Sequence, residues 1–233
     1  MVYTMDEAAG HIDVARAIPD EVARRLGEDI IFNRLPPETR LTEEQVAATY
    51  GVSRSPVREA IRLLEHDGLV RRSARRGFWV APVSLPDFDE IYTCRIALEA
   101  IAAESAARSP DARGACAMFD ELLVRLRAAQ AEGDTRGFFD ADVEGSELIY
   151  KLAANATLRR LLASLEKQAL RYRFFAYAQS PDVIRLSVDG TAVIYDRICA
   201  GDADGARTLT VDLISGIWQK MRPIIRQSVH AIA

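Results

Sequence analysis

The hydrophobic pattern changes period along the chain. From Pro19 to Arg34 apolar residues recur at helical spacing, with Val22, Leu26 and Ile30 on one face and Asp20 and Glu21 in the first turn. Leu35-Pro36-Pro37 stops that helix. A short helix follows Thr42, and Gly51 closes it with a turn. A second helix runs from an N-cap at Ser53 through Pro56 to Gly68. Val57, Ile61 and Leu64, joined by Leu63, form its apolar stripe, while Arg54, Arg58 and Arg62 recur on another face. Two short β-prone runs, Leu69-Val70 and Phe78-Trp79-Val80, then flank an Arg-rich tip, which predicts a hairpin.

Beyond Val80 the pattern is helical. Two prolines, Pro82 and Pro86, mark a linker with a boundary near Val83. Six helical stretches follow, at Pro86–Ala107, Pro110–Glu132, Thr135–Ala154, Leu158–Ala178, Pro181–Ala200 and Asp202–Gln227. Gly145 interrupts the third, Leu161, Leu162, Leu165 and Leu170 give the fourth its apolar face, and Pro223 should kink or shorten the sixth. Short loops between them predict an antiparallel bundle. The fold class is therefore mainly α: a winged helix-turn-helix followed by an all-α bundle. The domains divide as an arm at 1–18, the winged helix-turn-helix unit at 19–83 and the bundle at 84–233.

Composition adds a contrast. The chain carries a net charge of −4, yet between Arg54 and Val80 seven arginines face only three acids, Glu59, Glu65 and Asp67. A basic element on an acidic protein is the footprint of a nucleic-acid reader. No apolar run is long enough to span a membrane, and no secretory signal is visible, which suits the cytoplasm. Cys94, Cys116 and Cys199 are far apart in sequence and form no metal-type pair; the spacing suggests buried small hydrophobes in a reducing compartment. The bundle holds no Cys–His pairing, phosphate loop or acid pair at telling spacing, which speaks against an enzyme.

Residues 41–80 resemble the winged helix-turn-helix of the GntR family of bacterial transcription regulators. The resemblance rests on Arg40-Leu41, Glu43, Val46-Ala47, Gly51-Val-Ser-Arg54, Pro56-Val-Arg-Glu-Ala60, Leu63, Gly68-Leu-Val70 and Arg76-Gly77. It implies DNA contacts from Ser53, Arg54, Ser55 and Arg58, and a minor-groove contact from Arg76 and Gly77 at the wing tip. Arg suits guanine edges, and hydroxyls suit phosphates. Some members carry an Arg in the preceding helix where this chain has Glu44.

Residues 86–222 resemble the FCD effector domain of the FadR-like branch, through Arg95-Ile-Ala-Leu-Glu99, Asp142, Ala154-Asn155 and Gly201-Asp202. The resemblance implies a homodimer and a small-molecule effector, with Arg95, Asp142, Ser146 and Thr191 around it. Arg95 either pairs with an acid, Glu99 or Asp142, or anchors an effector carboxylate by forked hydrogen bonds. The Arg171-Tyr-Arg-Phe-Phe175 run is a second candidate lining, or else core or dimer contact.

Many such domains hold a metal with one Asp and three His. Asp142 matches the Asp, but the His positions fall at Ser146, near Thr191, and at Asp212 or Leu213, and the chain has only His11, His66 and His230. No metal or other cofactor is therefore expected, although oxygens of Asp142 and Asp212 leave a hard cation open. The expected function is a metabolite-controlled transcription regulator, a repressor answering to an organic acid and reading a palindromic operator on double-stranded DNA. A dimer would set two recognition helices on successive major grooves, about 34 Å apart. The alternatives are an acyl-CoA-responsive regulator, a helical enzyme with an accessory helix-turn-helix, and a structural adaptor.

Overall fold

The computed structural model describes residues 14–73 and 77–232, with side chains from 18 to 73 and from 77 to 227. The chain divides into two compact units, residues 1–81 and 82–233.

In the first unit α1 spans Val14–Ile31, β1 Arg40–Leu41, α2 Glu43–Tyr50, α3 Arg54–His66, β2 Val70–Ser73 and β3 Gly77–Val80. Pro19, expected at the start of α1, lies inside it, because the helix begins earlier at Val14. The expected hairpin of β2 and β3 is present, and β1 adds to it as a third strand in the order β1-β3-β2. Two residues are too short to show a strand period, which is why β1 was not legible in the sequence.

The core of this unit is the apolar face of α3. Val57, Ala60, Ile61 and Leu64 are fully buried. Each Val, Ile or Leu so buried contributes about 1.5–3 kcal/mol. Leu63, expected beside them, is instead 41% exposed. It lies between Ile61 and Leu64 in sequence but not in angle, since at 100° per residue it turns off the stripe. Helix α1 braces α3 at Gly27, where an added Cβ would sit 3.3 Å from Leu64 Cδ2. Tyr50 at the end of α2 donates to Asp29 of α1 at 2.7 Å, which ties the motif to its brace.

The second unit contains α4 (Leu85–Ala107), a 3-10 turn at Arg113–Ala115, α5 (Cys116–Glu132), α6 (Thr135–Leu152), α7 (Ala156–Gln179), α8 (Pro181–Ala200) and α9 (Ala203–Ile232). Local chemistry sets the ends. Ser84, Asp134 and Asn155 cap α4, α6 and α7 through their side-chain oxygens. Gly133 and Gly201 close α5 and α8 at φ 69° and 73°. Helix α9 runs through Pro223 and is not shortened there. Leu161 of α7 is 49% exposed, whereas Leu158 and Leu162 are buried, so the apolar face of α7 is narrower than its leucines suggest.

Helices α4 and α9 pack closely, and Asp89 of α4 joins them by accepting from Trp218 Nε1 and from both Nε and Nη2 of Arg222. Helices α8 and α9 meet at Gly190, where a Cβ would stand 2.5 Å from Leu213. The bundle also joins Cys116 and Cys199 as a disulfide between the start of α5 and the end of α8, with a Cα–Cα distance of 5.8 Å. That corrects the expectation of unpaired cysteines: the two are 83 residues apart, and only the packing of α5 against α8 brings them together. The cysteine pattern therefore gives no argument for a reducing compartment. Cys94 is free and exposed on α4. Among the described residues no helix is long and apolar enough to cross a membrane.

Candidate DNA-reading helix and effector cavity

The helix-turn-helix is built by two caps. Thr42 accepts from Gln45 N at 3.2 Å to start α2, and Gly51 ends it with φ 66°. Ser53 stands at the N-cap of α3 with extended backbone, but its hydroxyl makes no capping bond. The start of α3 therefore keeps free backbone amides, and a hydroxyl that its own helix does not use.

Arg54, Ser55 and Arg58 lie exposed on α3, opposite the buried stripe. Each arginine is held by an acid of α2: Arg54 by Glu44 at 2.8 Å, and Arg58 by both carboxylate oxygens of Glu43 at 2.7 and 2.8 Å. The Arg58 hydrogen bonds hold the Glu43 carboxyl below its usual range. These pairs are exposed, so a phosphate or a guanine edge can replace the acid at little cost. Gly77 opens β3 at φ 96°, while Arg76 lies outside the described residues. Arg71 pairs with Glu38 in the turn before β1, and Arg72 stands over the Phe78 ring of β3.

The bundle encloses a cavity between α4, α6, α7, α8 and α9. Arg95, Asp142, Ser146 and Thr191 all line it. Arg95 does not stand alone. It is 6% exposed, bonds Glu99 at 2.6–2.7 Å and lies over the Tyr92 ring. Of the readings open for Arg95, the geometry takes the pair with Glu99. A ligand carboxylate would have to displace Glu99 to gain the forked contact. Burial opposes the Arg95 charge, but Glu99 beside it keeps its pKa above the ordinary value.

Asp142 sits on α6 and is itself buried. Its Oδ2 accepts from Arg173 Nη2 and, at 2.7 Å, from the Tyr177 hydroxyl, both on α7. Burial opposes the Arg173 charge too, yet Asp142 and its neighbours hold that charge firmly in place. Burial and the adjacent Asp142 together push the Tyr177 hydroxyl up, so it stays protonated and donates. Ser146 donates to the Asp142 backbone carbonyl at 3.1 Å. Gly145, which looked like an interruption of α6, makes room for Tyr195 of α8: a Cβ there would fall 1.8 Å from the Tyr195 hydroxyl. Phe119 holds that ring from the other side, stacked at 4.2 Å.

The surroundings of Asp142 do not fit a metal. A guanidinium already holds one oxygen of its carboxylate and would repel a second cation, and Ser146 and Thr191 offer only neutral hydroxyls. His66 is exposed on α3 in the other unit, and His11 and the His230 side chain lie outside the described residues. Asp212 is not among the residues that line this cavity.

The Arg171–Phe175 run splits by angle. Arg173 faces the cavity. Tyr172 instead exchanges hydrogen bonds with the backbone of Ser84 at the start of α4. Phe174 packs edge-on against Phe139. Arg171 is buried elsewhere, and its Nη2 finds no hydrogen-bond partner among the described residues. Sequence reasoning held Arg173 within that run as a candidate lining but did not single out Tyr177 or Tyr195. Arg173 and Tyr177 are one helical turn apart, and that i, i+4 spacing was the available signal.

Comparison with known proteins agrees with this architecture. Residues 19–80 match the bacterial regulatory proteins of the gntR family, and residues 90–216 match the FCD domain. The uncharacterised regulator YdhC of Bacillus subtilis is 35% identical over 134 residues, 57% of this chain and 60% of that protein. The transcriptional repressor RspR of Escherichia coli is 25% identical across 93% of this chain and 94% of its own length. A solved GntR-type regulator from Rhodococcus sp. RHA1 superimposes with a TM-score of 0.71 at 25% identity, covering 88% of this chain and 97% of that one. With both of its units matched in this order, the chain belongs to the GntR family of transcription regulators, as a member with an FCD domain.

Proposed function

We propose that this protein is a homodimeric, cytoplasmic repressor that reads a palindromic operator with α3 and responds to a small polar metabolite in the bundle cavity. The observation that carries the reading is α3 itself. Its buried stripe fixes it to the unit, and its opposite face presents Arg54 and Arg58 in pairs that DNA can exchange. Ser53 and Ser55 at its start suit phosphates, and Arg58 suits a guanine edge. Arg76 and Gly77 are the proposed wing-tip contact.

In the cavity, Arg95, Asp142, Ser146 and Thr191 are the proposed effector contacts, now joined by Arg173 and Tyr195. The metabolite controls DNA affinity only if it binds the operator-bound and free arrangements unequally. Two buried ion pairs in its wall make the cavity a poor host for a long acyl chain, which favours a small polar metabolite over an acyl-CoA.

The test uses operator DNA selected from a random library by the full-length protein. A cavity-filling Thr191→Trp variant should keep its operator affinity and lose release by cell extract. Ser187→Leu, from the same wall, serves if the first variant does not fold. Release that survives both substitutions would contradict the effector reading, and a library that yields no enriched sequence would contradict DNA reading.

A further inference from the structure

The cavity's charges cancel. Arg95 faces Glu99 and Arg173 faces Asp142, two cations against two anions in the same wall. In each pair one carboxylate oxygen takes every protein donor. Glu99 Oε1 receives both Nε and Nη2 of Arg95, and Asp142 Oδ2 receives Arg173 and Tyr177. Glu99 Oε2 and Asp142 Oδ1 accept nothing from the described residues, and neither is sealed away from the cavity. Tyr150, Thr191 and Tyr195 line the same space, and their hydroxyls have no hydrogen-bond partner among the described residues. Tyr195 is only 3% exposed as a residue, but its hydroxyl is not sealed off and is open to a cavity occupant.

We propose that the effector is an uncharged polyhydroxy compound of the sugar or sugar-alcohol class. It donates hydroxyls to Glu99 Oε2 and Asp142 Oδ1 and exchanges hydrogen bonds with Tyr150, Thr191 and Tyr195. This rests on the cavity being the effector site. A carboxylate with one lone-pair side open accepts from an alcohol, and a free hydroxyl both donates and accepts, so the set matches a chain of ligand hydroxyls. An organic acid, the first expectation, would bring its charge against two fixed carboxylates. An amine would meet two fixed guanidiniums. Either leaves a like-charge contact beside the two largely buried ion pairs, and a neutral polyol avoids both.

The experiment is isothermal titration calorimetry on the full-length protein. The probes are aldopentoses, aldohexoses and their alditols, each compared with its aldonic acid and its amino sugar. At least one neutral probe should bind more tightly than its charged counterparts, by about tenfold or more. Asp142→Asn leaves Arg173 without its anion and should turn the preference toward the aldonic acid. Glu99→Gln does the same through Arg95 and serves if the first variant is unstable. Binding by aldonic acids alone, or by no probe, overturns the proposal. If aldonic-acid binding disappears in Thr191→Trp, the effector site stands and only its ligand class is wrong. Sugar binding that persists in Thr191→Trp lies elsewhere and overturns both.

Discussion

The two units use the same chemistry, arginine against carboxylate, in opposite ways. On α3 the pairs are open to solvent: the side chains of Arg54 and Glu44 are 63% and 67% exposed. In the bundle the side chains of Arg173 and Asp142 are 9% and 7% exposed. An exposed pair is worth little and is easily traded for another anion, whereas breaking a buried one strands a charge. The head is thus built to exchange partners and the bundle to keep them. Arginine count alone does not distinguish a DNA contact from a cavity wall; the burial of its partner does.

The sharpest way to break that contrast is Asp142→Ala. It leaves Arg173 buried without an anion and should cost about 3–5 kcal/mol of stability, measured by urea unfolding. Gly145→Ala comes next. Alanine is the better helix former by about 1 kcal/mol. The new Cβ, however, would lie 1.8 Å from the Tyr195 hydroxyl, whose ring Phe119 holds in place. Overpacking of that kind costs about 1–3 kcal/mol, so the net change should be destabilising.

On the head the corresponding change acts on binding rather than folding. Arg58→Ala should lower operator affinity by roughly ten- to a hundredfold while the melting temperature barely moves, as titration of labelled DNA and a thermal melt would show. The smallest expected effect is at Glu166, beside the cavity wall. Burial and the neighbouring Glu147 push its carboxyl pKa up. The folded state therefore binds this proton more tightly than the unfolded one, and stability falls as pH rises from the ordinary carboxyl range through the raised value. Glu166→Gln should raise the melting temperature at pH 7 and leave it unchanged near pH 4.

Much of this was legible in the sequence, for identifiable reasons. The cap at Thr42, the turn at Gly51 and the stripe on α3 are local signals, and they placed the elements. The double role of Gly145 was not legible, because it depends on Tyr195, which arrives from another helix. The same holds for the Cys116–Cys199 pair and for the Arg173–Asp142 pair, whose members are 83 and 31 residues apart. Leu63 and Leu161 misled for the opposite reason. Both are leucines in helices, and only the angle around the axis shows that they face outward.

The most direct test of the central claim, that α3 is a sequence reader, is to sequence genomic DNA fragments retained by wild-type protein and by Arg58→Ala. The account predicts one palindromic motif enriched by the wild type, with enrichment lost or its half-sites degraded in the variant. The same motif recovered equally by both proteins, or no motif from either, would contradict it.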